Sequence, residues 1–176
     1  SLVSLVREAR QVSALGFAVP AKIQNDVRLA QRFYSHGMVL KQVANFYNQL
    51  SNQIIICQKP MLLADALDFE RLLSNPRDST GQMIMWTSNP SVIESYILQL
   101  QTVAAKLTNR NRRLQRCHSQ LRGQVLALFE HDLLHQRERW AGTIRDMREL
   151  FLQLEREGYD SKSQMAWRLH WDRQIY

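Results

Sequence analysis

Residues 90–158 read PSVIESYILQLQTVAAKLTNRNRRLQRCHSQLRGQVLALFEHDLLHQRERWAGTIRDMRELFLQLEREG. The stretch has no proline after Pro90, and Asn89 and Pro90 suit the cap and the first position of a helix. Gly158 suits the left-handed residue that closes a helix. Apolar side chains recur at alternating spacings of four and three residues, at Ile93, Ile97, Leu100, Ala104, Leu107, Leu114, Leu121, Val125 and Leu128. This spacing predicts the seam of a long helix that packs lengthwise against other helices.

Polar residues and a register break interrupt this seam. Asn111 and His118 occupy seam positions, where they either set the register inside a bundle or mark a part of the seam that is open to solvent. After Leu128 the register breaks, and a second seam consists of Trp140, Ile144, Met147, Phe151 and Leu154. The sequence therefore predicts one very long helix over 90–158, or two collinear helices with a joint between Leu128 and Trp140.

The rest of the chain shows helical spacing in shorter pieces. Within residues 1–73, Gly16 and Pro20 are expected to end a first helix, Gly37 to separate a second from a third, and Pro60 to start a fourth. Each piece has one apolar face, so each must pack against another helix.

The segments after residue 73 complete the expected fold. Residues 74–89 predict a loop with a short extended piece, and Ser161 or Ser163 is expected to cap a last helix over 161–176. The fold class is therefore all-α, an elongated helical bundle in which short helices pack along one very long helix. We expect a single segment over residues 1–176.

Composition bounds the class of protein. The chain has 176 residues, of which 45% are hydrophobic and 22% charged, as in ordinary globular proteins. Cys57 and Cys117 form no close-spaced pair, so neither a disulfide framework nor a zinc ribbon is indicated.

No apolar run approaches the roughly 18 residues of a membrane helix, so no membrane partner is expected. Because the chain opens with Ser1 inside a helical pattern and stops at Tyr176 without a cap, we expect a piece of a longer polypeptide.

The net charge of +7 is concentrated in one patch. No acid lies between Glu94 and Glu130, whereas six basic residues do: Lys106, Arg110, Arg112, Arg113, Arg116 and Arg122. The patch is either a solvated helix face, a docking site for an acidic protein, or a nucleic-acid site. The last is disfavoured because no aromatic residues are interleaved for base stacking. The candidate partner-binding residues are Arg110, Arg112, Arg113 and Arg116.

Catalytic, metal and cofactor sites are not predicted. No glycine-rich phosphate loop is present. His131, His135 and Glu138 could share one helix face as metal ligands, but two histidines one turn apart on a charged helix are usually solvated. Cys117 and His118 are adjacent, and adjacent helix residues point about 100° apart, so they cannot easily act as a catalytic pair.

Four tryptophans are most simply packing anchors, namely Trp86, Trp140, Trp167 and Trp171. Trp167 and Trp171 lie one turn apart near the end of the chain. They could instead contact the next part of a longer polypeptide, which makes them further candidate partner-binding residues.

Several motifs resemble the N-terminal tail region of dynein heavy chains. They are Arg7-Glu8-Ala9-Arg10 followed by Leu15-Gly16-Phe17-Ala18-Val19-Pro20, Phe46-Tyr47-Asn48, and Gly81…Met85-Trp86-Thr87-Ser88 followed by Tyr96-Ile97. Other details are most similar to the intraflagellar-transport (cytoplasmic type 2) heavy chains. They are Pro20-Ala21-Lys22-Ile23-Gln24, Leu40-Lys41-Gln42-Val43-Ala44, Asn111-Arg112-Arg113-Leu114 and Trp167…His170-Trp171-Asp172. The resemblance covers nearly all of the chain in order.

The resemblance implies a non-catalytic tail segment of a microtubule motor, whose ATPase lies elsewhere in the polypeptide. It implies that the tail dimerises with a second heavy chain, and carries intermediate chains, a light-intermediate chain and cargo such as the intraflagellar transport train. The location implied is the cytoplasm and the cilium or flagellum. Gly16 and Pro20 would be corner residues, and Phe17 and Trp86 structural anchors. The alternatives are a stand-alone basic coiled coil that binds nucleic acid, another helical adaptor, and a metal-dependent helical-bundle enzyme.

Overall fold

The computed structural model describes residues 2–85, 88–130 and 136–175. Its helices are α1 (Leu2–Ala14), α2 (Ala21–Gln53), α3 (Lys59–Ser74), α4 (Pro90–Phe129), α5 (Arg137–Arg156) and α6 (Ser161–Ile175). A short 3₁₀ turn at Ile56–Gln58 precedes α3. The all-α prediction is confirmed for the described residues. None of their helices combines the length and apolar character that crossing a membrane would require.

Helix α4 begins where the sequence predicts. The Asn89 side-chain oxygen accepts a hydrogen bond from the Ser91 N–H at 3.0 Å, and Pro90 is the first helical residue. The predicted seam is the buried face of the helix, with Leu100, Leu107 and Leu114 fully inaccessible to solvent. Leucine side chains buried in this way stabilise a fold by about 1.5–3 kcal/mol each. The alternating four-three spacing therefore identified the packing face correctly.

The single continuous helix over 90–158 is wrong, and so is the collinear alternative. Helix α4 ends at Phe129 and α5 begins at Arg137. The Phe129 ring lies 5.9 Å from that of Trp140, near the start of α5, whereas Arg113 is bonded to Glu157, just beyond its end. Helix α5 therefore runs antiparallel to α4. The physical reason is the second seam, which is buried only when α5 folds back onto a partner.

Gly37 does not end a helix, because α2 is continuous over 33 residues. Ala30 and Val43, on either side of Gly37, are buried, and so is Leu50. A glycine inside a helix costs only about 1 kcal/mol relative to alanine, which this packing offsets. Residues 1–73 therefore do not consist only of short helices. The start predicted at Pro60 is confirmed to within one residue, since α3 begins at Lys59.

The chain divides into two compact units. Unit 1 comprises 1–50 with 70–104, and unit 2 comprises 51–69 with 105–176. In unit 1, the Tyr96 hydroxyl donates to the Leu72 carbonyl at 2.9 Å, and Arg32 pairs with Glu94 at 2.6 Å. The Arg32 guanidinium holds the pKa of Glu94 below its usual range. Each unit has its own buried residues, and the whole basic patch, from Lys106 to Arg122, belongs to unit 2.

Glycines with positive φ close two of the helices. Gly16 follows α1 with φ +83°, and Gly158 follows α5 with φ +88°. Beside Gly158, the Tyr159 N–H donates to the Leu154 carbonyl at 2.9 Å, which closes the last turn of α5. Phe17 is 67% exposed, so it lacks the burial expected of a packing anchor. Pro20 lies directly before α2, and the anchor predicted at Trp86 lies outside the described residues.

The cap of α6 also differs from the prediction. Asp160, not Ser161 or Ser163, accepts the free N–H groups at the start of the helix, from Lys162 at 3.0 Å and from Ser163 at 3.2 Å. A carboxylate at this position stabilises a helix as well as a hydroxyl does. In the loop after α3, Met83 forms an isolated antiparallel bridge with Arg77, whereas Ile84 and Met85, which are also described and belong to the predicted extended piece, form none.

Candidate functional site: the basic face of α4

The basic residues of α4 lie on different faces of the helix. Leu107, Leu114 and Leu121 form the buried seam of this part of the helix. Residues four positions apart share a face, so Lys106 lies with Arg110, and Arg112 lies with Arg116. The two pairs therefore meet different surroundings, although all four are close together along the chain.

Asp65 of α3 forms an ion pair with each member of the first pair. Its side chain is only 8% exposed, and its carboxylate lies 2.9 Å from Lys106 Nζ and 2.6 Å from Arg110 Nε. The Arg110 guanidinium also lies over the Tyr159 ring at 4.0 Å and donates to the Gly158 carbonyl at 3.3 Å. The Nε–H of Arg110 makes no hydrogen bond, so its contact with Asp65 is an ion pair. Lys106 and Arg110 thus hold α4 to neighbouring segments of unit 2.

Arg113 is engaged in a second ion pair. Its Nη2 and Nε donate to the two carboxylate oxygens of Glu157 at 2.8 and 3.1 Å, which is the bidentate geometry of a strong pair. Gln153 donates to the same carboxylate at 3.0 Å. The bond with Arg113 lowers the pKa of Glu157 and raises the pKa of Arg113. Arg113 therefore joins α4 to the end of α5.

The remaining cations face solvent. Arg112, Arg116 and Arg122 are exposed, and the structure shows no ion pair for them among the described residues. Arg112 and Arg116 line a shallow open groove together with Asn109, Gln115 and Ser119. The patch has no acidic residue near it in the sequence, but acidic residues do lie beside it in the fold. In space, Asp65 and Glu157 form ion pairs with three of its six cations, and the other three, Arg112, Arg116 and Arg122, are exposed.

Trp167 and Trp171 are core residues of unit 2, with 0% and 2% of their surfaces exposed. The Trp167 indole N–H donates to His118 Nδ1 at 3.2 Å, and its ring packs edge-on against Phe151 at 5.4 Å. This burial agrees with the interpretation of both tryptophans as packing anchors, and their contact with a partner stays a prediction. Helix α6 folds back onto α4 and α5, which buries both indoles.

The polar seam residues lie inside the bundle. Asn111 is 5% exposed and donates to the Gln53 carbonyl at 3.4 Å, and Gln115 donates to the same carbonyl at 2.6 Å. Gln58 is fully buried and donates to the Leu114 carbonyl at 3.0 Å. These bonds satisfy backbone groups at the end of α2 and in the middle of α4. Of the two interpretations of Asn111, the structure favours a register-setting residue inside a bundle.

One grouping has no signal in the sequence. Cys57, His118 and His170 come from the 3₁₀ turn, α4 and α6, and their ligand atoms lie within 4.8 Å of one another. No short spacing links these residues along the chain, so only the packing of unit 2 reveals them. The other metal interpretation involved His131, His135 and Glu138, and the two histidines lie outside the described residues.

Comparison with known proteins shows what the chain is similar to. No family model matches the chain. Over 99% of its length, however, the chain is similar to dynein heavy chains, which confirms the resemblance seen in its motifs. The relatives are cytoplasmic dynein 2 heavy chain 1 of Chlamydomonas reinhardtii (47% identical over 175 residues), Homo sapiens (41% over 177) and Caenorhabditis elegans (34% over 177). The chain spans about 4% of the length of these relatives, within their N-terminal region.

Proposed function

We propose that this chain is a non-catalytic segment of the tail of an intraflagellar-transport dynein heavy chain, working in the cytoplasm and the cilium or flagellum. The observation that carries the proposal is the similarity to cytoplasmic dynein 2 heavy chains over 99% of the chain. The all-helical architecture supports it, because stacked helices with one buried seam each suit a structural rod. A free-standing nucleic-acid-binding coiled coil has no comparable support.

The partners we propose are proteins, not nucleic acids or membranes. They are the second heavy chain, the intermediate and light-intermediate chains, and through them the intraflagellar transport train. Within this set, we assign an acidic protein surface to the exposed cations of α4, namely Arg112 and Arg116, which share a face, and Arg122, which lies further along the helix. These side chains are exposed, whereas Lys106, Arg110 and Arg113 already have acidic partners. Charge complementarity of this kind mainly improves the rate and the specificity of encounter.

A segment exchange tests the tail assignment. The matched segment of the Chlamydomonas reinhardtii heavy chain is replaced by this chain, and subunits that co-purify with the chimaera are compared with those of a heavy chain lacking the segment. We expect the chimaera to recover the associated subunits and the deletion to lose at least one of them. If the deletion recovers every subunit at parental levels, the segment has no part in assembly. A loss in both the chimaera and the deletion would mean that the docking residues differ between the two sequences.

A further inference from the structure

We propose that Cys57, His118 and His170 form a binding site for a transition-metal ion, with Zn²⁺ as the best match. The three residues come from separate elements of unit 2, the 3₁₀ turn, α4 and α6, yet one sulfur and two ring nitrogens lie within 4.8 Å of one another. Helix α6 packs against the turn that carries Cys57, so the grouping belongs to a packed part of the unit.

The chemistry of the three ligand atoms determines which metal ions the site can bind. One thiol and two imidazoles suit Zn²⁺ and Co²⁺, whereas Ca²⁺ and Mg²⁺ require oxygen ligands. In a tetrahedral zinc site with the usual bond lengths, neighbouring ligand atoms are about 3.3–3.6 Å apart. Because the three atoms lie within 4.8 Å of one another, any two of them have at most about 1.5 Å to close on binding. All three residues are half-buried, so an ion can enter from solvent and keep a water in its fourth position.

Neighbouring rings position the histidines. The His118 ring lies 4.9 Å from the Trp171 ring and 5.6 Å from the His170 ring, and His170 packs edge-on against Trp171 at 5.0 Å. Because Trp171 is buried, these contacts restrict both imidazoles to a small region of space. A preorganised pair of nitrogens loses less conformational freedom when it binds an ion.

Binding requires a neutral imidazole and a thiolate, and of these the free protein favours only the first. Burial, the nearby His170 and Arg122 lower the pKa of His118, which keeps this imidazole neutral at pH 7. Burial raises the pKa of Cys57, so the free thiol carries its proton. On binding, the S–H bond is replaced by a metal–sulfur bond and one proton leaves to solvent, while both imidazoles bind as neutral ligands.

Metal binding must also change a hydrogen bond of Trp167. In the structure, His118 Nδ1 accepts the Trp167 N–H. A metal on Nδ1 displaces that N–H, and a metal on Nε2 moves the ring proton to Nδ1, where it opposes the indole donor. In both cases the bond is lost. Occupancy of the site is therefore coupled to the environment of Trp167, and tryptophan fluorescence reports it.

The test is a Co²⁺ titration of the 176-residue chain in the presence of a phosphine reductant. We expect one ion per chain, thiolate-to-cobalt charge-transfer absorption, tetrahedral ligand-field bands and a fluorescence change, all reversed by Zn²⁺. Cys57→Ala should abolish the charge-transfer band, and His170→Gln should weaken binding at least about tenfold. His170→Gln keeps the test decisive if the cysteine variant fails to fold, which circular dichroism checks.

Two variants control for binding elsewhere. Cys117→Ala removes the other thiol, which is buried and outside the group, and should retain the parental spectrum. The double variant His131→Ala/His135→Ala should also retain it. The proposal is overturned if the folded parent shows no thiolate band, if Cys57→Ala keeps the band, or if only the double histidine variant loses binding.

Discussion

Arg113 and Glu157 are 44 residues apart in sequence, yet their side chains form two parallel hydrogen bonds of 2.8 and 3.1 Å. Because Arg113 lies in the middle of α4 and Glu157 directly after α5, this pair marks the antiparallel return of the chain. We expect its contribution to be modest, since both side chains are about one-third exposed. A double-mutant cycle with Arg113→Ala and Glu157→Ala should give a coupling of about 0.5–1 kcal/mol in urea unfolding. A coupling of zero would show that the bond does not stabilise the fold in solution.

The same pair predicts a pH dependence. Arg113 holds the pKa of Glu157 below its usual value of about 4.3. A carboxyl whose pKa is lowered by folding contributes stability above its unfolded pKa, and that stability is lost as the pH falls through the folded pKa. The free energy of unfolding of the parent should therefore fall more steeply below about pH 4.5 than that of Glu157→Gln. Equal slopes for the two proteins would contradict the pairing.

Asp65 is the acidic partner of two cations of the basic patch, Lys106 and Arg110. Its buried carboxylate meets Lys106 and Arg110, so Asp65→Asn leaves two cations without a counter-charge. Breaking a fully buried pair costs about 3–5 kcal/mol, and the exposure of Lys106 reduces the expected loss to about 1–3 kcal/mol. Thermal melting measures this, with Asp172→Asn, at an exposed position of α6, as the control. Equal melting temperatures for the two variants would show that Asp65 is not a structural counter-ion.

Replacing Gly158 and Gly142 by alanine should change the free energy of unfolding in opposite directions. Gly158 has φ +88°, so Gly158→Ala is strained and should cost about 1 kcal/mol or more. Gly142 lies inside α5, and a Cβ added there meets no other atom within 4 Å. Gly142→Ala should therefore stabilise the fold by about 0.4–1 kcal/mol. The pair is measured by chemical denaturation, and a stabilising Gly158→Ala would refute the left-handed closure of α5.

Sequence predicts those features that depend on neighbours along the chain. The seam of α4 follows from spacing alone, and Asn89 and Gly158 follow from the chemistry of helix ends. The prediction that Gly37 separates two helices was wrong. The free-energy cost of a glycine inside a helix is small compared with the stabilisation from packing of the helix faces around it. The return of α5 was missed because an antiparallel pair and a collinear pair have the same periodicity.

The candidate site depends on contacts between residues that are far apart in sequence. The spacing of apolar residues along the chain does not reveal such contacts. Asp65 and Glu157 are ordinary surface acids in the sequence, and only packing brings them to Arg110 and Arg113. The acid-free run over 106–122 therefore overstated the free charge. The resemblance to dynein heavy chains could be predicted from motifs spread along the sequence, and the comparison confirms this similarity over 99% of the chain.

The central proposal is that the exposed cations of α4, Arg112, Arg116 and Arg122, dock an acidic protein surface within a dynein tail. Its most direct test is the recovery of associated subunits by a full-length heavy chain carrying Arg112→Glu, Arg116→Glu and Arg122→Glu. The control carries Arg145→Glu, Arg148→Glu and Arg173→Glu, which are exposed in α5 and α6 and change the net charge equally. At about 0.5 kcal/mol for each of three exposed pairs, we predict about a tenfold loss of affinity for at least one subunit, and parental recovery by the control. Parental recovery by both folded variants, at low and physiological salt, would contradict the claim.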